Sequence, residues 1–253
     1  MHPVLFSLFG FEIKTYGVIV AVAFLAGIYL ASALAEKEGV KKDDMLDLGL
    51  LIIVCSLLGA RILYVAIWWK YYLKNPLDIL KVWEGGLVYY GGFILSVAGA
   101  IWWLARKKIS FLKVTDILVP FLALSHAIAR IGCFFSGCCY GRPYAQGVIF
   151  PNLGDNTPRF PVQLYESAAN FLNFVVLILF FRYAKRKQGD VFFLYLLNYG
   201  IIRSIMEIFF RGDPERGTIL IFSTSTFISL FLIVSGAAGL VFNRLRKPAE
   251  DQP

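Results

Sequence analysis

The chain has 253 residues, of which 58% are hydrophobic and 17% charged, and its mean hydropathy is +0.67. Soluble domains are roughly 45–50% apolar, so this composition excludes a soluble globular enzyme and a disordered chain alike. The formal net charge of +8 does not point to nucleic acid, because the cations flank long apolar runs, where they set topology and meet anionic headgroups.

Runs of about 18 or more apolar residues read as membrane spans. Seven are predicted, near residues 14–35, 46–69, 86–105, 112–134, 162–182, 190–211 and 218–242. They leave no room for a sizeable soluble module, so the expected architecture is all-α and polytopic, a single membrane domain over residues 1–253. No cleavable leader is expected, because Met1 to Phe11 lack a basic region and a small-residue cleavage site. Between the second and third spans, residues 73–84 are amphipathic and are expected to lie along the interface.

Loop cations orient the spans. Lys37, Lys41 and Lys42 follow the first span, and Arg106, Lys107, Lys108 and Lys113 surround the turn from the third to the fourth. Arg182, Lys185, Arg186 and Lys187 follow the fifth, and Arg244, Arg246 and Lys247 follow the seventh. All of these fall on one side. The opposite side carries fewer, with Arg142, Arg159, Arg211 and Arg216 among them. The positive-inside rule therefore predicts an external amino terminus and a cytoplasmic carboxyl terminus.

Ionisable residues inside spans are costly and mark function. Arg61, Arg130 and Arg203 remain inside spans, and the predicted topology places each toward the outer side. Glu207 follows Arg203 by one turn. Tyr16 opens the first span from outside, Tyr89 and Tyr90 open the third, and Gln163, Tyr165 and Glu166 open the fifth. Interhelical bonding is the competing reading of the arginines, above all for Arg61. Guanidinium groups at a shared depth nevertheless call for anions, and a lipid phosphate suits their planar fork. Gly91 and Gly92 in the third span either pack helices or let backbone approach a lipid. His126 shares a helix face with Arg130 and is a candidate base, since a neutral imidazole accepts protons near pH 7.

Cys55 stands alone in an apolar run. Cys133, Cys138 and Cys139 are clustered in sequence, but their spacing is not a standard zinc pattern, so no metal ligand and no cofactor is expected. A disulfide from Cys133 to one of the pair and free packed thiols both remain open.

These residues resemble the bacterial prolipoprotein diacylglyceryl transferases, in order and over nearly the whole chain. The resemblance runs through Tyr16-Gly17, residues 59–64 (Gly-Ala-Arg-Ile-Leu-Tyr), Asn75-Pro76 and Trp83-Glu84-Gly85-Gly86. Its strongest part is Arg130-Ile131-Gly132 with Phe134, Gly137 and Gly141, similar to R-x-G-N-F-x-N-G-E-x-x-G. Pro161 to Glu166 resembles P-x-Q-L-Y-E, and Tyr199-Gly200, Arg203, Glu207, Arg211 and Asp213 resemble a later segment, with Arg211 displaced by one position. This chain departs from the pattern at Cys133 and Ser136, where the family has asparagine. It departs again at Cys138, where the family has glutamate, and at Tyr90, where it has histidine.

The resemblance implies transfer of a diacylglyceryl group from phosphatidylglycerol to the lipobox cysteine of a prolipoprotein signal peptide. Glycerol phosphate leaves. The implied setting is the outer leaflet of the bacterial cytoplasmic membrane, among membrane lipid and without nucleic acid. Arg130, Arg203, His126 and Tyr90 are then the catalytic candidates. Tyr16, Arg61, Gly91, Gly92, Gly132, Gly141, Gln163, Tyr165, Glu166, Glu207 and Arg211 are the candidates for holding the lipid headgroup. The alternative is a paralogue with another acceptor, or one that binds lipid without transferring it. A transporter is disfavoured, since no inverted repeat or charged inner path is evident.

Overall fold

The computed structural model of the chain describes residues 2–8, 11–82, 85–211, 218–219 and 222–245. Trp83, Glu84 and Asp213, which carry part of the resemblance, lie outside the described residues, as does Arg216. Six described helices are long and apolar enough to cross a membrane, and the chain is an all-α, multi-pass membrane protein. Leu25, Leu172 and Phe231 are exposed, whereas Ser32, Gln163, Asn170, Asn173 and Ser229 are buried. Lipid solvates the apolar side chains, and polar groups turn inward to find partners.

The backbone forms two compact units, one of residues up to Leu30 together with those from Thr115 onward, the other of Ala31–Val114.

In the first unit, β1 (Val4–Leu8) pairs antiparallel with β2 (Phe11–Lys14). These strands are not among the elements predicted from sequence. The hairpin leads straight into α1 (Thr15–Lys37), and Thr15 secures the junction by donating from its N–H to Pro3 O (3.0 Å) and from Oγ1 to His2 O (2.5 Å). The first half of α1 packs on α5 (Phe111–Ser136) through small residues. Ser125 Oγ donates to Ala23 O at 2.8 Å, and a side chain at Gly27 would strike Ser125.

After α5 the chain runs through β3 (Pro143–Val148), bridged at both ends to Arg159. Helix α6 (Val162–Tyr183) and α7 (Asp190–Ile205) follow, and α7 widens into a single π turn, Met206–Phe210. Among the last elements are the short strands β4 (Thr218–Ile219) and β5 (Phe222–Ser223), then α8 (Thr224–Leu245). Gly200 and Gly236 let α7 and α8 approach until backbone meets backbone. Val119, Ala123, Leu177, Val191 and Tyr195 form a buried cluster joining α5, α6 and α7.

Asp116 is a fully buried charge that the span pattern alone does not single out. It accepts from Gly189 N (2.7 Å) and Phe192 N (2.9 Å), with Lys185 Nζ at 3.7 Å. The carboxylate thus satisfies backbone donors that the start of α7 leaves open.

In the second unit, α2 (Lys42–Ile67) packs on α4 (Tyr89–Lys107). Gly59 and Gly91 face each other so closely that a Cβ on either would strike the other's carbonyl, and Gly92 lies against Ser56. Gly91 and Gly92 therefore serve the packing of α2 on α4. Helix α4, the expected third span, has 19 residues but is not among the six that are apolar enough to cross. Its Tyr89, Tyr90, Trp102 and Trp103 dilute its hydropathy. The amphipathic segment forms α3 (Trp69–Lys74) and a 3-10 turn, Pro76–Leu80, with Leu73, Leu77 and Leu80 exposed.

Arg61 is also in this unit. Nε donates to Ile79 O (2.9 Å), Nη1 to Gly85 O (2.8 Å) and Gly86 O (3.0 Å), and Nη2 to Asp78 O (2.5 Å) and Lys81 O (3.3 Å). A guanidinium has five N–H donors, and backbone carbonyls take all of them. Arg61 holds the 78–86 turn in place, with Tyr64 and Tyr72 against its plane.

Candidate active site

The polar residues of the first unit meet at one carboxylate. Glu166 sits in the second turn of α6, 3% exposed at its side chain. Arg130, near the end of α5, brings Nε to 2.6 Å from Oε2. Arg203, near the end of α7, brings Nη1 to 3.0 Å from Oε1. Arg211 Nη2 lies 2.9 Å from Oε1 and 3.0 Å from Oε2. Two helices and the segment after the π turn thus deliver three guanidiniums to one carboxylate on a third helix.

The π turn gives Arg211 and Glu207 their positions. Met206 O accepts from Arg211 N at 3.0 Å, five residues on. Such a wide turn rotates the residues after it relative to a regular helix, and π turns recur at functional sites. Glu207 Oε2 pairs with Arg203 Nη2 at 3.0 Å, and the same nitrogen donates to Ser225 Oγ at 3.1 Å. Ser225 is not among the sequence-based candidates, because the Thr224-Ser225-Thr226 run before an apolar stretch is an ordinary helix-start signal.

Charge and access decide what the cluster can do. Among the described residues, three guanidiniums meet at Glu166, and Arg203 is also paired with Glu207. The side chains of Arg130 and Arg203 are 16% and 15% exposed, against 2% for Arg211. Arg130 Nη2 has no hydrogen bond to a described residue. Arg130 and Arg203 are therefore the donors an anion can reach, while Arg211, expected nearer the surface, is buried structural charge. In surroundings of low dielectric such a cluster holds an anion far better than it would in water.

His126 does not stand free as a base. Its Nε2 accepts from Arg130 Nε at 3.1 Å, and its ring lies 5.5 Å from that of Tyr199. That hydrogen bond lets the imidazole orient the guanidinium. Gln163 lies in the first turn of α6. It is fully buried, and its Nε2 donates to Cys138 O at 2.7 Å, so it pins the loop after α5 and not a headgroup. Gly141 donates to Phe160 O and packs against the Phe210 carbonyl, and Gly132 packs on Tyr16 and Ile19. Both are close-approach positions for protein. Tyr16 is partly exposed at the start of α1. Tyr165 stacks with Phe160 and Phe210 in an aromatic slab. Tyr90 belongs to the second unit and pairs with Tyr89.

The cysteines are free thiols. The sulfurs of Cys133, Cys138 and Cys139 lie within 4.8 Å of one another, and Arg130 Nη1 is 3.9 Å from Cys133 Sγ. Hydrogen bonds from Cys133 and then Cys138 hold the Cys139 thiol well below the usual thiol range.

A family model described as prolipoprotein diacylglyceryl transferase matches residues 3–242. The phosphatidylglycerol–prolipoprotein diacylglyceryl transferase of Clostridium tetani is 39% identical over 252 residues, covering 98% of this chain and 100% of the relative. The phosphatidylglycerol–prolipoprotein diacylglyceryl transferase 2 of Clostridium perfringens is 31% identical, covering 97% of each chain. That of Finegoldia magna is 32% identical, covering 93% of each. A match that extends from residue 3 to residue 242, and so through every residue of this arginine cluster, makes the chain a member of the prolipoprotein diacylglyceryl transferase family.

Proposed function

We propose that this chain transfers a diacylglyceryl group from phosphatidylglycerol to the cysteine thiol of prolipoproteins. The observation that carries this reading is the cluster of three guanidiniums on Glu166, two of which, Arg130 and Arg203, are partly exposed. The acceptor sulfur attacks the glyceryl carbon that bears the phosphate ester, the carbon–oxygen bond breaks, and glycerol phosphate departs with the electron pair. Charge grows on the leaving phosphate, so pre-set donors aimed at it lower the barrier. Arg130 and Arg203 supply those donors, Glu166 and Glu207 orient them, and His126 fixes the Arg130 plane. Tyr16 and Tyr165 are among the exposed polar aromatics of the same unit, and such side chains suit a headgroup rim.

The acceptor is the lipobox cysteine of a signal peptide, and the membrane is the bacterial cytoplasmic membrane. Loop charge supports an external amino terminus and a cytoplasmic carboxyl terminus, with seven crossings if α4 spans. This puts the 135–160 loop outside and residues 183–189 inside. A cysteine placed at Gln188 should resist membrane-impermeant labelling in intact cells, and labelling there would overturn the orientation.

Complementation tests the function itself. Expression in a strain depleted of its own transferase should restore growth and diacylglyceryl-modified lipoproteins. Lipoproteins that stay unmodified while the protein accumulates in the membrane would favour another acceptor.

A further inference from the structure

Three thiols gathered within 4.8 Å are unusual when two belong to adjacent residues. Successive side chains in ordinary backbone point apart. Here Cys139 adopts the left-handed conformation, φ 61°, which non-glycine residues rarely occupy and which persists where the surroundings enforce it. The surroundings do so. Gly137 is also left-handed, its carbonyl accepts from Asn152 Nδ2 at 3.1 Å, Cys138 N donates to Cys133 O at 3.1 Å, and buried Gln163 holds the Cys138 carbonyl. The loop is thus fastened in a shape that aims all three sulfurs at one point.

We propose that Cys133, Cys138 and Cys139 bind one thiophilic divalent ion of the zinc class, with a fourth position open to the acceptor thiol. Zinc–sulfur bonds of about 2.3 Å put tetrahedral sulfurs about 3.8 Å apart, so the trio has only to contract by about an ångström. Three protein ligands with an open fourth position are the arrangement of catalytic rather than structural zinc. A divalent ion with three thiolates carries one negative charge, and the Arg130 guanidinium 3.9 Å from Cys133 Sγ offsets it.

The role of the ion rests on the proposed diacylglyceryl transfer. The reaction needs a thiolate, and His126 Nε2 is already committed to Arg130. A thiol that coordinates a divalent cation loses its proton outright. The proton passes to water. The metal-held sulfur then forms its bond to the glyceryl carbon, the carbon–oxygen bond breaks, and the phosphate leaves toward the arginines. The thioether product is a weak ligand and departs.

The test uses the full-length protein in detergent, reduced and stripped with chelator, with Cd²⁺ as spectroscopic probe and Zn²⁺ as the working ion. Cd²⁺ should bind at about one ion per chain with sulfur-to-metal absorption typical of three thiolates. An acceptor peptide with its cysteine should add a fourth, and its serine analogue should not. Cys133→Ser and Cys139→Ser should lose the absorption. Chelation should slow transfer by about a hundredfold or more, with recovery on Zn²⁺ addition. No absorption, equal absorption in Cys133→Ser, or no response to the cysteine peptide would overturn the site. Full transfer by the metal-stripped protein would overturn it too while leaving the transferase reading intact. Absorption with the fourth thiolate but no transfer under any condition would support the site and remove that reading instead.

Discussion

Glu166→Ala is expected to cost about 3–5 kcal/mol of stability, the range found when one partner of a buried ion pair is removed. The carboxylate is 3% exposed and is the shared partner of Arg130, Arg203 and Arg211. Without it three guanidiniums repel one another where water cannot screen them. Arg211 suffers most, because at 2% exposure it has no route to solvent, whereas Arg130 and Arg203 can relax outward. Glu166→Gln keeps shape and one acceptor but removes the charge, so it should fall between Glu166→Ala and the parent. Thermal unfolding in detergent at fixed pH measures this. A midpoint for Glu166→Ala within a degree or two of the parent would mean that the arginines do not depend on this carboxylate.

Arg130→Lys is expected to lower transfer by about a hundred- to a thousandfold, the size of effect seen when one donor to a developing anion is lost. Charge is preserved, so the loss isolates geometry. A guanidinium spans Glu166, His126 and Cys133 at once and still presents Nη2, whereas an ammonium is a point charge without that fork. The loss should fall mainly on kcat, with KM for phosphatidylglycerol changed less, because the phosphate gains charge only as its bond breaks. Arg211→Lys should instead lower stability, with transfer per folded molecule largely kept. Unchanged transfer by Arg130→Lys would remove it from phosphate stabilisation.

The contrast between these arginines shows what the sequence made legible. Span positions and the order of polar residues along them were readable, because apolar length and helical phase determine both. Arg130, Arg203, Glu166 and Glu207 stood out as charges inside apolar runs, and they do meet. Arg211 follows Phe209-Phe210 and precedes Gly-Asp-Pro, where a charge reads as a loop cation. The π turn that carries it inward has no sequence signature. Arg61 looked like its counterparts because its partners are backbone carbonyls, which every residue possesses. Gly91 and Gly92 were ambiguous for a related reason, since close approach by a helix and by a lipid demand the same missing Cβ. Asp116 lies inside the expected 112–134 span, but nothing along the sequence ties it to the backbone at Gly189 and Phe192 that it serves. Of the amino-terminal strands, the first lies in a mostly apolar run and the second alternates over only four residues, Phe11–Lys14.

The central claim is that the arginine cluster on Glu166 serves diacylglyceryl transfer to a thiol. The most direct measurement is single-turnover transfer by the purified, full-length protein in phosphatidylglycerol vesicles. Mass spectrometry would follow a precursor peptide bearing the acceptor cysteine. The account predicts that the cysteine peptide gains a diacylglyceryl group with matching release of glycerol phosphate, that the serine analogue gains none, and that Arg130→Lys slows both products together. Glycerol phosphate released without modified peptide, or modification that proceeds equally well in Arg130→Lys, would contradict it.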